Sequence, residues 1–178
     1  MITDDRERAI FRHHRRARAQ LFGKFRGKVA EVGTGDNLGY IRAYVPAVFG
    51  PTSKSPWAAP AVPFAGDKHG WLMLPKEDDG VWIEFEAGNR DQPIWTGFWW
   101  SGNDSLPDRA APEVRVLATP KGHQIVLDDE NNKIVIKHGG GPSITFEDGA
   151  IRIQLDDQKK IVIDSSGVHI NDTAFKVS

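Results

Sequence analysis

The feature that most constrains this chain is a run of very short alternating segments in its last third. Each segment has apolar residues at every second position and is followed by a polar or glycine-rich turn. The segments are Val114–Leu117, His123–Leu127, Lys133–Lys137, Ser143–Phe146, Ile151–Leu155, Lys160–Ile163 and Val168–Ile170. A period of two predicts β-strands with one apolar face. A single narrow ribbon of such strands has no second layer to cover that face, so the pattern predicts that other chains cover it.

The apolar positions of these segments form one set, and three copies of the chain around a common axis would bury them against one another. The set is Ile125, Leu127, Ile134, Ile136, Ile144, Phe146, Ile151, Ile153, Leu155, Ile161, Ile163, Val168 and Ile170. The outward set includes Arg152, Gln154, Asp156, Lys159 and Lys160. Leu127-Asp-Asp with Lys133–Ile136 recurs as Leu155-Asp-Asp with Lys160–Ile163, and a repeat of about 27 residues predicts a β-solenoid or a β-prism.

The preceding part of the chain predicts a small barrel. Its clearest stretch is Gly80–Trp100, in which Val81, Ile83 and Phe85 alternate with polar or aromatic residues and a turn at Gly88–Asp91 leads into a second strand that Pro93 begins. Further strands are predicted at Phe25–Val32, Gly39–Pro46 and Gly70–Pro75, with a long surface loop at Val48–Asp67. Five short strands with one long insertion are typical of an OB-fold.

Several short elements occur in a recognisable order. They are Gly39-Tyr-Ile-Arg-Ala-Tyr-Val-Pro46, Ser55-Pro-Trp57, Leu74-Pro75, Gly80-Val-Trp-Ile-Glu-Phe-Glu86, Gly88 with Asp91, and Pro93-Ile-Trp-Thr-Gly97. In this order they resemble the OB-fold domain of contractile-tail central spikes. That family includes the phage baseplate assembly protein V group, the spike of T4-like phages and the VgrG proteins of type VI secretion. The resemblance covers residues 22–100.

The resemblance implies a structural spike that catalyses nothing. In this family the region after the barrel is a homotrimeric β-helix or β-prism, and the barrel joins a baseplate hub. Sheath contraction then drives the shaft through the target cell envelope. The implied location is the virion tail baseplate or an equivalent particle, assembled in the bacterial cytoplasm. Residues 171–178, with Phe175 and Val177, are expected to end the needle or to seat a PAAR-like tip protein. Few residues precede the barrel, so a separate hub protein is expected, as in a phage-like machine.

The domain organisation follows from these observations. We expect an N-terminal basic arm or helix at 1–21, an OB-fold domain at 22–100, a proline-containing linker at 101–112 and the β-helical shaft and tip at 113–178. The arm begins with acidic residues and continues with Arg12, Arg15, Arg16 and Arg18, so it predicts either a contact with an acidic partner or a solvated helix. The fold class is therefore all-β, with a barrel followed by a trimeric shaft.

Neither a catalytic nor a metal site is predicted, and no cofactor is implied. The carboxylate pairs Asp128-Asp129 and Asp156-Asp157 stand in predicted turns, where aspartate is favoured for local backbone reasons. Some phage spikes close their tip around iron with a His-x-His motif, but His169-Ile170-Asn171 lacks the second histidine. Alternation places His169 opposite Val168 and Ile170. The remaining histidines are assigned to turns or to the basic arm: His123, His138, His13 and His14.

The alternative function is a single-stranded nucleic-acid-binding OB protein, which would stack bases on exposed aromatic residues. Five tryptophans are available: Trp71, Trp82, Trp95, Trp99 and Trp100. The net charge of -1 and the acidic residues around the hairpin argue against this function. The tryptophans are expected instead to fill the barrel, to pack three barrels together or to contact the hub. The chain has no cysteine, which excludes disulfides and thiolate metal sites.

Overall fold

The computed structural model divides the chain into two units, residues 1–101 and 102–178, and each is described by itself. Residues 20–171 and the backbone of 175–177 are described. The predicted basic arm therefore lies almost entirely outside the described residues, as do the side chains of residues 172–178 in the predicted tip segment.

The N-terminal unit is a sheet of short strands that curls into half a barrel. In chain order its elements are β1 Phe25–Val32, β2 Ile41–Tyr44, the short helix α1 Pro46–Phe49, β3 Ala59–Pro60, β4 Ala65–Gly66, β5 His69–Gly70, β6 Gly80–Phe85 and β7 Pro93–Trp99. Single turns of 3₁₀-helix occur at Gly35–Asn37 and Glu86–Gly88. The main sheet has the order β2-β1-β6-β7-β3, antiparallel except for the short parallel pair of β3 with β7.

The alternation predicted from sequence forms the core of this unit. Val81, Ile83 and Phe85 are buried on one side of β6, while Trp82 and Glu84 lie on the other side. The same core contains Val29, Ile41, Ala43, Val45, Ala58 and Trp95. The Trp95 indole Nε1–H donates to the Gly39 carbonyl over 3.0 Å, so the buried polar atom of the largest core residue is satisfied.

Two strand predictions for this unit were wrong. Residues 71–76 form no strand, and Gly70 instead ends the small β4–β5 hairpin, which lies outside the main sheet. The fifth strand is β3, inside the predicted surface loop. That loop also supplies buried Ser55, whose hydroxyl accepts the Ala43 N–H. These pairings are only two or three residues long, and such contacts leave no periodicity for a sequence pattern to reveal.

β7 also departs from simple alternation. Its register against β6 shifts between Val81 and Ile83, so that Trp95 faces Ile83 and Phe98 faces Val81. Gly97, with φ of +144°, lies within this irregular stretch, as expected for a β-bulge. Because of the shift, the Trp95 and Phe98 rings contact each other edge to face, with centroids 5.8 Å apart. Strict alternation along β7 would place these two side chains on opposite faces.

The C-terminal unit is an antiparallel meander in which each strand pairs with the next one in the chain. Its strands are β8 Val114–Ala118, β9 Gln124–Asp128, β10 Lys133–Lys137, β11 Ser143–Glu147, β12 Ala150–Asp156, β13 Lys159–Asp164, β14 Gly167–Ile170 and β15 Phe175–Val177. All seven predicted segments are strands, within two residues of the predicted bounds. A 3₁₀ turn at Asn103–Ser105 precedes them.

The internal repeat has a simple structural basis. Its two copies are the β9–β10 and β12–β13 hairpins, each closed by a turn that begins with aspartate. Every strand pairing in the described part of this unit is antiparallel, so the repeats of one chain do not stack in parallel coils as in a single-chain solenoid.

Candidate functional site

The main candidate site is the apolar face of the C-terminal sheet. Register places its residues directly opposite one another in two rows. One row contains Leu117, Ile125, Ile136, Ile144, Ile153, Ile161 and Ile170, and the other contains Leu127, Ile134, Phe146, Ile151, Ile163 and Val168. Cross-strand aliphatic and aromatic neighbours of this kind stabilise the sheet itself. They also create a continuous hydrophobic surface from β8 to β14, which we call the apolar face.

One chain leaves this face largely uncovered. The exposed fraction is 45% for both Ile136 and Ile153, and it exceeds 40% for Ile125, Leu127, Ile134, Phe146 and Ile163. Isolated exposed side chains of this type are ordinary, but contiguous patches of this extent mark interaction surfaces. The apolar face is therefore built to be covered by another protein surface.

The opposite face of the sheet combines buried valines with charged side chains. Its central row includes Val126, 1% exposed, and Val162, 8% exposed. Beside that row Glu147 accepts from Arg152 Nε over 2.6 Å and lies 3.4 Å from Lys133 Nζ. The hydrogen bond from Arg152 is the main reason that the pKa of Glu147 is lowered. The two faces thus differ: the valine-centred face suits solvent, whereas the apolar face does not.

The carboxylates of the turns serve as backbone acceptors. Asp128 accepts from the N–H and side-chain amide of Asn131, and Asp156 accepts from the N–H groups of Gln158 and Lys159. These bonds stabilise the charged carboxylate, so the pKa of Asp128 is lowered chiefly by the Asn131 N–H and the pKa of Asp156 chiefly by the Gln158 N–H. The hypothesis that these aspartates have a turn-forming role is consistent with these contacts.

Acidification should destabilise this sheet. A carboxyl whose pKa is lower in the folded state stabilises the fold above its unfolded pKa, and that stabilisation is lost as the pH falls through the folded pKa. For Asp156 the loss begins near the ordinary value of 3.8 and is complete below the lowered folded value. We expect Asp156→Asn, whose amide oxygen still accepts the turn N–H groups, to reduce the dependence of the denaturation midpoint on pH between 5 and 2. Glu130→Gln is the charge-matched control, and equal slopes for both variants would contradict this explanation.

His169 lies on the valine-centred face, opposite Val168 and Ile170 as predicted. Its Nε2 is 2.8 Å from Ser166 Oγ and 3.5 Å from Asp164 Oδ1. A catalytic triad requires the serine and the carboxylate on different ring nitrogens, and here both approach the same one. Ser166 also donates its N–H and its hydroxyl to Asp164, which lowers the pKa of Asp164. The cluster therefore closes the β13–β14 turn.

His123 and His138 contact each other at the other end of the strands, with ring centroids 4.5 Å apart. The Gly139 N–H donates to His123 Nδ1 and the Gly140 N–H donates to His138 Nδ1. His138 is exposed and His123 is half-buried. Among the described residues, no group of three or more histidine or acidic side chains is placed to hold a metal ion.

The five tryptophans considered for base stacking have three different environments. Trp95 is buried in the core, which is one of the roles that the sequence analysis expected for these tryptophans. Trp82 and Trp99 are half-buried and flank the Arg26 guanidinium, which lies 5.3 Å and 5.1 Å from their ring centroids. Trp71 and Trp100 are exposed. Because Arg26 already occupies one face of each flanking ring, this group does not form an open platform for base stacking.

The sequence did not reveal one further surface, the β4–β5 hairpin and its flanks. We call residues 63–73 the arm; the basic segment at 1–21 is a different part of the chain and is not included in this name. Every residue of the arm is exposed, including Phe64, Trp71, Leu72 and Met73. A possible signal was the non-alternating run Trp71-Leu72-Met73-Leu74, which fits neither a half-buried strand nor a polar loop.

Within the described residues, no helix is long and apolar enough to cross a membrane.

Comparison with protein families assigns both parts of the chain. A family model for the type VI secretion system/phage-baseplate injector OB domain matches residues 25–100. A second model, for the phage baseplate V C-terminal trimerisation domain, matches residues 114–176. None of the curated proteins matches the chain. The two family matches together cover most of the chain, and the second one coincides with the sheet that carries the apolar face.

Proposed function

Because this chain belongs to the phage baseplate V family of injector proteins, we propose that it forms the central spike of a contractile injection machine. The observation that carries the proposal is the apolar face, which is uncovered in one chain and lies in the family's trimerisation domain. Two further copies supply the missing cover. The trimer is thus both the functional unit and the condition under which the C-terminal sheet is stable.

The proposed mechanism is mechanical. A spike that crosses an envelope must bear a compressive load without unfolding. When three chains bury their apolar faces together, no sheet can separate without exposing the rows of all three, so the load is shared. Sheath contraction supplies the energy. The spike performs no catalysis and requires no cofactor. This absence of activity agrees with the structural character of both matched families.

The remaining assignments extend the same proposal. The OB domain joins the baseplate hub, and the C-terminal end points towards the target cell, alone or with a PAAR-like tip protein. Assembly takes place in the bacterial cytoplasm, and the finished protein is located in the tail baseplate of a virion or related particle. The alternative of single-stranded nucleic-acid binding has no support from the matched families.

Purified particles provide the test. We expect quantitative mass spectrometry to find three copies of the chain per particle, and electron cryomicroscopy of particles with a tagged chain to place the tag on the baseplate axis. Particles assembled without the chain should attach to target cells but fail to penetrate them. An off-axis location, or full penetration without the chain, would overturn the proposal.

A further inference from the structure

The arm is an ordered hairpin rather than an irregular loop. Ala65 pairs with Gly70 and Gly66 with His69, and the Trp71 N–H donates to the Phe64 carbonyl over 3.1 Å. The turn residue Lys68 has φ of 60°. A defined backbone therefore presents large apolar side chains to solvent, with exposed fractions of 55% for Phe64 and 59% for Leu72. Since exposure of this kind is unfavourable, the arm is suited to a contact.

An apolar groove lies between the base of the arm, which forms one of its walls, and β7. Its walls include Val62, Trp71 and Met73 on one side and Trp95, Gly97 and Phe98 of β7 on the other. Its volume is about 270 Å³, slightly below the range of about 300–1,000 Å³ typical of small-molecule pockets. The walls are almost entirely apolar and lack the polar groups that orient a small ligand. The groove is better suited to apolar side chains of a protein.

We propose that the arm of one protomer packs into the groove of the next protomer, so that the OB domains form a second contact within the trimer. Phe64 and Leu72 are the inserting residues, because both are exposed and neither lines the groove of its own chain. The same unit thus carries an apolar projection and an apolar recess that it does not fill itself. Three head-to-tail contacts of this type close into a ring.

This inference rests on the proposed trimer. The trimerisation domain follows the OB domain in the same chain, so three copies of the arm and of the groove are held at high effective concentration. Tethering through a short linker corresponds to millimolar concentrations, at which even a weak contact forms. A second copy is therefore favoured over a separate protein as the occupant of the groove.

The absence of cysteine from the chain makes cross-linking a direct test. In the double variant Leu72→Cys/Phe98→Cys, a short bifunctional maleimide should link protomers into covalent dimers and trimers on a denaturing gel. Mixed trimers of the two single variants should give covalent dimers, which separates links between chains from links within one chain. The matched control is Leu38→Cys/Phe98→Cys, because the exposed fraction of Leu38, 57%, is similar to that of Leu72, 59%. This control variant should give no ladder.

The outcomes separate this inference from the proposed function. A trimeric mass by light scattering, with no link between chains and rapid labelling of Leu72→Cys by maleimide, would overturn the arm contact and assign the arm to another protein such as the hub. A monomeric mass would overturn the trimer itself. A ladder together with labelling of Leu72→Cys severalfold slower than that of Leu38→Cys would establish the contact. Leu38, Leu72 and Phe98 are all exposed, so an unchanged thermal transition should confirm that the cysteine variants fold.

Discussion

Ile136→Asp should convert the trimer into single chains. In size-exclusion chromatography with light scattering, we expect the mass to fall from three times 19.8 kDa to 19.8 kDa. Ile136 lies in the middle of the apolar face, between Ile125 and Ile144 in register, and is exposed to 45% in one chain. The substitution places three carboxylates in one apolar interface. An unpaired polar group there costs roughly 2–7 kcal/mol, and an isolated charge costs far more.

The neighbouring residue supplies the matched control. Lys137→Asp introduces the same side chain one position along β10, but on the opposite, valine-centred face, where Lys137 is exposed. We expect this variant to remain trimeric. Dissociation of both variants would show that β10 tolerates no acidic residue on either face. A trimeric Ile136→Asp would show that the apolar face is not the contact between chains.

Much of the fold was predictable because burial follows alternation. Ile41, Ala43 and Val45 alternate in the sequence and are all fully buried. In the C-terminal sheet, the strands β8 to β14 were located within two residues. The candidate site was predictable for the same reason, since apolar positions on one side of a ribbon require a cover. Twelve of the thirteen predicted positions lie in the two rows, whereas Leu155 falls at the register shift between Gln154 and Asp156. In this region the local pattern and the final structure agree, as expected for a sequence in which each local preference supports the fold.

The errors occur where tertiary contacts override the local pattern. β3 is two residues long, and the Ser55 hydroxyl makes a single hydrogen bond with the Ala43 N–H. Neither the short strand nor this single contact produces a periodic pattern in the sequence. Gly97 allows a bulge that turns Phe98 to the same side as Trp95, and a count of alternating residues cannot anticipate that shift. The arm was missed because residues 70–75 were predicted to form a strand of the barrel. The unexpected exposure of its apolar residues distinguishes the arm from the core.

Trp95→Ala should destabilise the OB domain by about 3–5 kcal/mol, the range found for large aromatic residues in cores. Trp95 is 2% exposed, packs against Phe98 and donates its indole N–H to the Gly39 carbonyl. The substitution leaves a cavity and also an unpaired carbonyl oxygen. Trp95→Phe keeps a ring but removes the donor, so a smaller loss of about 1–3 kcal/mol is expected. Hydrogen exchange measured by mass spectrometry would locate the effect in residues 25–100.

Trp100→Ala is the control for this prediction, because Trp100 is 61% exposed and surface substitutions usually change stability by no more than about 0.5 kcal/mol. If the two units unfold independently, Trp95→Ala should accelerate exchange in the OB domain and leave residues 114–170 protected, since the trimer contact holds those residues. Acceleration in both units would instead mean that they unfold together. Equal effects of Trp95→Ala and Trp100→Ala would contradict the assignment of Trp95 to the core.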